Sequence, residues 1–334
     1  MALLAVGGDR SAWAQPAPTD QPAAKEDDMP DDRPLPLNLN LVMPTMGGKL
    51  IWTDEWVRGE YRVQRNVLTG HYRLLDDQDR RLAWGTADQC RTRFMQVIDE
   101  RQLAPVTGEV VVLLHGLGRS REVMKPVGAY LRERGDLVPI GVNYASTREG
   151  IEQHAQALEK IVDQLDQATT IHFVCHSLGN IVLRHYLADL ERRPPDARRP
   201  PLGRIVMLGP PNNGAQLARK LHATGVFGLV AGRSGESLGH DWEQLAGRLA
   251  TPAGEFGIVA GGKGNDRGNN PLLSGDDDLV VTVEETRLPG AHDFLQLPLL
   301  HSQMLRDRQV HEATLRFLRE GHFRKDGPRE PIDE

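Results

Sequence analysis

A serine with small neighbours follows directly after an apolar run. Residues 173–180 read FVCHSLGN, so Ser177 stands two residues from Cys175 on one side and from Gly179 on the other. A strand that turns sharply into a helix needs small residues at those positions, because strand and helix pass close together there. Such a turn lifts the serine hydroxyl above the sheet, where it can act as a nucleophile. The alternative interpretation is a serine that only caps a helix.

Backbone N–H groups near Ser177 could stabilise negative charge on a substrate oxygen. The helix that follows Ser177 leaves the N–H of Leu178 without an intrahelical acceptor. Residues 111–118 read VVLLHGLG, a second apolar strand that ends in a glycine-rich turn, and the Leu117 N–H is the second expected donor. An ordinary turn would also explain that segment. Four supporting residues are expected to shape the two turns: His115, Gly116, His176 and Gly179.

The elements that must position these residues form an alternating pattern. Short apolar runs separated by helical patterns occupy residues 110–114, 137–142, 171–175, 205–208, 256–259 and 279–283. Continuous runs of Val, Ile and Leu suit strands that are buried on both faces of a parallel sheet. The alternation predicts an α/β fold with a doubly wound, mostly parallel sheet. Near-alternation of apolar and polar residues over 49–84 predicts a small antiparallel hairpin that precedes it.

The two turns resemble the lipase/esterase branch of the α/β-hydrolase superfamily. Residues 115–118 (HGLG) and 176–179 (HSLG) carry the resemblance, and 143–147 and 209–214 are similar to loops of bacterial triacylglycerol-lipase-like proteins. The likeness spans about residues 110–323. It implies the α/β-hydrolase fold and a catalytic triad in the chain order serine, acid, histidine.

The resemblance places the triad acid after a late strand, where residues 275–281 read GDDDLVV. Asp278 aligns with the acid of an Asp-Gly-x-Val pattern, in which Leu279 replaces the glycine. Asp277 is the second candidate, and Asp276 is interpreted as part of a solvated acidic turn. A calcium site in this cluster is an alternative, but three adjacent carboxylates cannot all face one ion, and no metal site is predicted.

The triad base is expected among the histidines that follow the acid. These are His292, His301, His311 and His322. Apolar residues at helical spacing over 310–318 predict an amphipathic final helix, which includes His311. His301 lies in the loop before that helix, where the resemblance places the catalytic histidine. His301 is therefore the predicted base, with His292 as the second candidate.

These residues together predict hydrolysis of a carboxylic ester through an acyl-enzyme on Ser177. His301 would remove the serine proton, Asp278 would orient His301, and the N–H groups of Leu117 and Leu178 would hold the oxyanion. This chemistry needs no cofactor. Two alternatives stay open at this point. The same triad could perform acyl transfer or cleave thioesters or amides, and the fold could also serve a non-catalytic binding protein.

The composition excludes several classes of protein. The chain has 334 residues, of which 39% are hydrophobic, and this is enough for one large core. Its net charge of −6 argues against a nucleic-acid binder, and no apolar run approaches the about 20 residues of a membrane span. The two cysteines, Cys90 and Cys175, exclude a disulfide framework. Cys175 is expected to be a buried thiol. The oligomeric state stays open.

The chain divides into four predicted segments. Residues 1–40 are expected to be a leader remnant and a disordered linker, because a short apolar run precedes a stretch rich in Pro, Asp and Ala. A leader favours a periplasmic or secreted protein, and a cytoplasmic protein is the alternative. Residues 41–104 should form the hairpin extension packed on the main domain, 105–323 the hydrolase domain, and 324–334 a flexible tail.

The substrate is expected to be a small-molecule or lipid ester with a hydrophobic acyl group. The lipase-like loops favour such a group, and so does an apolar patch within the glycine-rich stretch 222–250. The patch consists of Val226, Phe227, Leu229 and Val230. The stretch is either a lid or cap over the site, or a packed surface helix with a loop.

Overall fold

The computed structural model describes residues 50–333, with gaps at 195, 197–198, 223–226 and 240; of residues 222, 227–231 and 236 it describes the backbone only. The first four strands form an antiparallel meander: β1 (Trp52–Arg58), β2 (Tyr61–Asn66), β3 (Tyr72–Leu75) and β4 (Arg81–Gly85). Helix α1 (Ala87–Arg101) packs on the meander, and together they bury a small apolar core that includes Val63, Leu74 and Phe94. The predicted hairpin is thus a four-stranded sheet with its own helix.

The main sheet has six strands, all parallel, in the order β6-β5-β7-β8-β9-β10. The strands are β5 (Gly108–Leu114), β6 (Val138–Val142), β7 (Ala168–His176), β8 (Leu202–Leu208), β9 (Phe256–Gly261) and β10 (Asp293–Leu297). The helices that follow α1 are α2 (Lys125–Gly135), α3 (Ile151–Val162), α4 (Leu178–Glu191), α5 (Gln216–His222), α6 (Phe227–Gly239), α7 (Trp242–Ala246), α8 (Val283–Thr286) and α9 (Arg308–Glu320).

Helices cover both faces of the main sheet. Apolar residues of α3 and α4 pack with one set of strand side chains, whereas those of α2 and α9 pack with the other set. Val110, Val111 and Val112 are fully buried, because they lie in a central strand between the two helical layers. Six parallel strands in this order, with a helix after most of them, form the α/β-hydrolase fold, so the predicted fold class is confirmed.

One predicted strand is wrong. Residues 279–283 form a turn that leads into α8, because the Asp278 carboxylate accepts the N–H groups of Val280 (3.0 Å) and Val281 (2.8 Å). Those N–H groups are therefore not available for a strand ladder. The sixth strand is instead β10, which pairs with β9. Its sequence, DFLQL, is apolar at only three of five positions, so a search for continuous apolar runs does not find it.

The direction of the strands decides which loops can meet. In a parallel sheet all strands end at the same edge, and side chains in the loops after those ends converge there. Ser177 follows β7, Asp278 comes after β9, and His301 comes after β10. His292 immediately precedes β10 and therefore lies at the opposite edge of the sheet.

The predicted division into four segments stays a prediction. The predicted leader and linker at 1–40 lie outside the described residues, as does Val226 of the apolar patch. In the segment predicted as a tail, the N–H of Ile332 donates to Ala291 O (2.9 Å), and its carbonyl accepts from Gly290 N (2.8 Å). In the part of the chain described here, no helix is both long and apolar enough to cross a membrane.

Leu279, which stands where the resembled pattern has glycine, adopts a left-handed backbone. Its φ is 84°, a conformation that costs a side-chain-bearing residue on the order of 1–3 kcal/mol. We expect Leu279→Gly to lose almost no stability, because relief of this strain offsets the extra freedom that glycine gives the unfolded chain. Leu272→Gly is the matched control, since Leu272 is also exposed but does not have a positive φ.

Chemical denaturation measures both variants. The control should lower the free energy of unfolding by about 1 kcal/mol, whereas Leu279→Gly should change it by less than about half of that. Equal losses in the two variants would contradict the assignment of strain to Leu279.

Candidate functional site

Ser177 lies in a strained turn between β7 and α4. Its φ of 54° and ψ of −124° belong to neither a strand nor a helix, and they are uncommon for a residue with a side chain. Strand β7 ends at His176 and α4 begins at Leu178, so the whole turn is one residue long. The Ser177 N–H donates to Leu208 O (2.9 Å), but the side chain makes no capping hydrogen bond. The hydroxyl is therefore free of the capping role that was the alternative.

Small residues flank this turn because α4 passes close to β5. A Cβ atom on Gly179 would lie 2.8 Å from both the Cβ and the carbonyl oxygen of Leu114, closer than atoms in folded proteins approach. Cys175 is fully buried on the other side of the turn, as expected, and burial raises the pKa of its thiol well above the usual range. A thiol that stays protonated is a poor nucleophile, so Cys175 acts as a spacer.

The loop after β5 runs alongside Ser177. A Cβ atom on Gly116 would lie 3.0 Å from the Ser177 Cβ and 3.4 Å from its Oγ, so only glycine lets the loop approach this closely. Two residues further on, the Gly118 N–H donates to Ser146 Oγ (3.0 Å). Leu117 lies between these two glycines and lines the same cavity as Ser177.

Three rings pack in a row at this loop, the first pair stacked and the second pair tilted. The His115 ring lies 4.1 Å from the Tyr144 ring, which lies 4.9 Å from the His154 ring. Tyr144 also donates its hydroxyl to His115 O, and His154 Nε2 contacts Ser234 Oγ of α6 at 3.1 Å. Burial lowers the pKa of His115 to about 4 and that of His154 to about 3, so both rings are neutral. Sequence reasoning assigned no role to Tyr144, His154 or Ser234, because their contacts join distant parts of the chain.

Asp278 and His301 form a buried pair. The Asp278 Oδ2 lies 2.6 Å from His301 Nδ1, and the aspartate backbone carbonyl accepts the His301 N–H (2.9 Å). The second carboxylate oxygen accepts two backbone N–H groups of the following turn, so each of the two oxygens faces at least one donor. This arrangement favours the tautomer with a proton on Nδ1 and a lone pair on Nε2. Among the described residues, His301 Nε2 has no hydrogen-bond partner.

His176 fixes the catalytic histidine candidate from the opposite side. Its Nε2–H donates to the His301 carbonyl oxygen (3.1 Å), and the two ring centroids are 4.6 Å apart. Burial lowers the pKa of His176 well below the usual range, which keeps the ring neutral beside His301. The expectation that His176 shapes the turn stays a prediction.

The two neighbouring aspartates hold the backbone of this loop. Asp277 is buried and accepts the N–H groups of Asn269 and Asn270 at 2.9–3.1 Å. Asp276 was interpreted as part of a solvated turn, but it is only partly exposed and accepts N–H groups of Lys263 and Gly264 at 2.7 Å. Their carboxylates are thus occupied by donors other than the histidine. Across the residues that the structure describes, no group of three or more His, Cys, Asp or Glu side chains could hold a metal ion.

The remaining histidine candidates lie elsewhere. The N–H of His292 donates to Phe256 O (2.8 Å) at the edge of the sheet opposite Ser177. His311 lies in α9, where its Nε2 bonds to the carbonyl of Leu305 (3.0 Å). Only His301, of the histidines that follow Asp278, lines the cavity that contains Ser177.

That cavity has a volume of about 840 Å³. Both Ser177 and His301 line it, together with Gly116 and Leu117 of the loop after β5. Much of the remaining wall is apolar and comes from Val123, Leu217, Leu238, Val280, Leu299 and Leu305. Leu238 belongs to α6, so the segment 222–250 contributes directly to the cavity wall. The side chains of Phe227, Leu229 and Val230 lie outside the described part of the chain.

Comparisons with known proteins agree with the fold. A family model for a domain of unknown function (DUF7379) matches residues 78–234. No curated protein sequence matches the chain significantly. A lipase from Bacillus licheniformis is 15% identical, with a TM-score of 0.45 over 63% of this chain and 90% of that one. Est1E from Butyrivibrio proteoclasticus, solved with ferulic acid, is 15% identical, with a TM-score of 0.45 over 64% and 88% of the two chains.

Phospholipase PlaB from Legionella pneumophila is 20% identical, with a TM-score of 0.41 over 54% of this chain and 45% of that one. This chain therefore spans less than half of PlaB. At such low similarity none of these structures carries an argument about activity, and the fold assignment rests on the strand order described above.

Substitutions can test the roles of the acid and the base. We expect Asp278→Asn and His301→Ala each to lower kcat for an ester substrate by roughly 1000-fold or more, because the base loses its orientation or disappears. Asp276→Asn and His292→Ala are the matched controls, and each should keep kcat within about threefold of the wild type. Steady-state kinetics on folded protein, checked by circular dichroism, gives the comparison. If His292→Ala were the inactive histidine variant, the base would have to be reassigned.

Proposed function

We propose that this chain is a serine hydrolase that cleaves carboxylic esters through an acyl-enzyme on Ser177. The observation that carries the proposal is the strained conformation of Ser177 in the same cavity as His301, whose Nδ1 pairs with the buried Asp278 carboxylate. Backbone strain of 1–3 kcal/mol persists only where the surrounding structure enforces it, and such residues cluster at active sites. A buried carboxylate–imidazole pair with a free Nε2 beside such a serine supports nucleophilic catalysis.

In the proposed mechanism His301 Nε2 takes the proton of the Ser177 hydroxyl as its oxygen attacks the acyl carbon. The Asp278 carboxylate holds the Nδ1–H and stabilises the imidazolium that forms. His301 then gives the proton to the departing alcohol, and the acyl group stays on Ser177. In the second half a water molecule attacks the acyl carbon while His301 Nε2 takes its proton. The tetrahedral intermediate then collapses, and His301 returns the proton to Ser177 Oγ as the acid is released.

Two backbone N–H groups are proposed to hold the oxyanion. Leu178 is the first residue of α4, so its N–H has no acceptor within the helix and lies at the positive end of the helix dipole. Leu117 follows Gly116, which packs against the Ser177 side chain, and both residues line the cavity together with the serine. Donors of this kind are fixed before the reaction and need no reorganisation as charge develops, which is why each can contribute strongly to the rate.

The proposed substrate is an ester with a hydrophobic acyl group. The apolar part of the cavity wall could bury an alkyl chain, and its volume of about 840 Å³ is within the range of pockets that enclose whole small molecules. Each methylene group that leaves water contributes about 0.8 kcal/mol to binding. Longer chains should therefore be preferred until the cavity is filled.

The identity of the nucleophile can be tested by covalent labelling. A fluorophosphonate should label Ser177 and abolish ester hydrolysis in proportion to the labelled fraction, because it phosphonylates only an activated serine. Ser177→Ala should remove both labelling and activity, with the protein still folded. Ser302→Ala is the matched control, because Ser302 also lines the cavity. Near-normal hydrolysis by folded Ser177→Ala would refute the assignment.

The acyl-chain preference can be tested with p-nitrophenyl esters of increasing length, used below their micellar concentrations. From acetate to hexanoate, kcat/KM should rise by up to about fourfold per methylene, the factor that corresponds to ~0.8 kcal/mol. Leu238→Ala should reduce this slope and leave acetate hydrolysis almost unchanged, whereas Leu202→Ala, on the surface, should not affect it. A profile that peaks at acetate would show a small acyl pocket instead.

A further inference from the structure

The meander contains a buried ion pair. Asp54 and Arg62 are 0% and 1% exposed, and the Arg62 Nη1 lies 2.7 Å from the Asp54 Oδ2. Gln64 donates to the other carboxylate oxygen, Oδ1, at 2.7 Å. Removing two charges from water is costly, and an ion pair in such a place often stabilises a fold no better than apolar residues would. The same two side chains also make contacts outside the meander.

Those further contacts go to the segment that follows β6. The Asp54 N–H donates to Asn143 O (2.8 Å), and the Asp54 Oδ2 accepts the Asn143 N–H (2.8 Å). The neighbouring Thr53 hydroxyl accepts the Ala145 N–H (3.2 Å), and Arg62 donates to Gly141 O (3.2 Å). Thr53 and Asp54 of β1, together with Arg62 of β2, thus clamp residues 141–145, which are the end of β6 and the segment after it.

The clamped segment in turn holds the loop that carries Leu117. Asn143 Oδ1 accepts the Arg121 N–H (3.1 Å), and Ser146 Oγ accepts the Gly118 N–H (3.0 Å). The guanidinium of Arg121, which is 7% exposed, also pairs with Asp79 of the meander. The loop is therefore fixed on the C-terminal side of Leu117 by bonds that lead back to the meander.

We propose that Asp54 and Thr53 of the meander are positioning residues for the Leu117 N–H. They act through Asn143 and Ser146 and touch no substrate. This inference rests on the proposed function, in which that N–H binds the oxyanion. The physical reason is that an oxyanion donor must stay within a few tenths of an ångström of its position to be effective. The buried ion pair supplies rigidity at the point where β1 meets the segment.

The alternative is that the meander only stabilises the fold. A variant of Glu55 can distinguish this alternative from the proposed positioning role. Glu55 follows Asp54 on the same strand, is 3% exposed, and pairs with Lys160 of α3 and with Arg65. Its carboxylate docks the meander on α3 through Lys160, and its link to residues 141–145 is indirect, through Arg65, Glu149 and the Thr53 hydroxyl. If the meander only adds stability, Glu55→Gln and the variants of the two positioning residues should behave alike.

The experiment compares Asp54→Asn, Thr53→Val and Glu55→Gln with the wild type. Fluorophosphonate titration counts active sites, so that kcat is expressed per competent molecule and unfolded protein does not affect it. For Asp54→Asn and Thr53→Val we expect kcat per site to fall by about tenfold or more, with KM within about twofold. A trifluoromethyl ketone, which forms a tetrahedral adduct with the serine, should bind more weakly by a similar factor. For Glu55→Gln both values should stay near those of the wild type, even if its melting temperature is lower.

Amide hydrogen exchange at Gly118 gives a readout that does not depend on activity. Exchange there should accelerate in Asp54→Asn and Thr53→Val but not in Glu55→Gln, because only the first two loosen the segment that accepts this N–H. If Asp54→Asn fails to fold, Thr53→Val decides, since it leaves the ion pair intact. Unchanged kcat per site in the folded positioning variants, or an equal loss in Glu55→Gln, would overturn the inference. A wild type that fluorophosphonate does not label would refute the proposed function alone, and the exchange data would still test the structural link.

Discussion

The geometry of the site depends on how closely α4 passes the end of β5. That contact is possible only because Gly179 has no side chain, and it forces the chain to reverse direction within the single residue Ser177. Gly116 also packs against Ser177, so the two glycines let the loop after β5 and the turn at Ser177 lie close together. A Cβ atom at either position would force its neighbours to move.

Much of this arrangement can be predicted from the sequence, because it rests on local patterns. The strands β5, β7 and β8 contain continuous apolar runs. The turn at Ser177 has small residues two positions before and two positions after the serine, a spacing typical of a sharp strand-to-helix turn. Strand β10 was missed because polar residues interrupt it, and residues 279–283 were wrongly assigned to a strand because their apolar run is held in a turn by Asp278. Hydrophobic patterning does not report which side chain binds a backbone N–H.

The polar contacts were the least predictable part. Asp54, Asn143 and Arg121 are separated by tens of residues, and nothing in their local sequence indicates that they meet. Each of the three is a buried polar residue, and the reason for its burial is visible only when its hydrogen-bond partners are known. The roles of Ser177, Asp278 and His301 could be expected from a resemblance, whereas the residues that hold their surroundings in place required the three-dimensional structure.

The clamp between β1 and the segment after β6 bears on where this chain could be divided. The composition changes near residue 105, and a boundary there would separate the meander from the parallel sheet. The excised sheet would contain Ser177, Asp278 and His301, yet the N–H groups of Asn143 and Ala145 would lose their acceptors, and the Gly141 carbonyl would lose its donor. Each polar group left without a partner in a buried place costs about 1–3 kcal/mol. We therefore expect a stable fragment to begin at or before β1, ahead of the loop that carries Leu117.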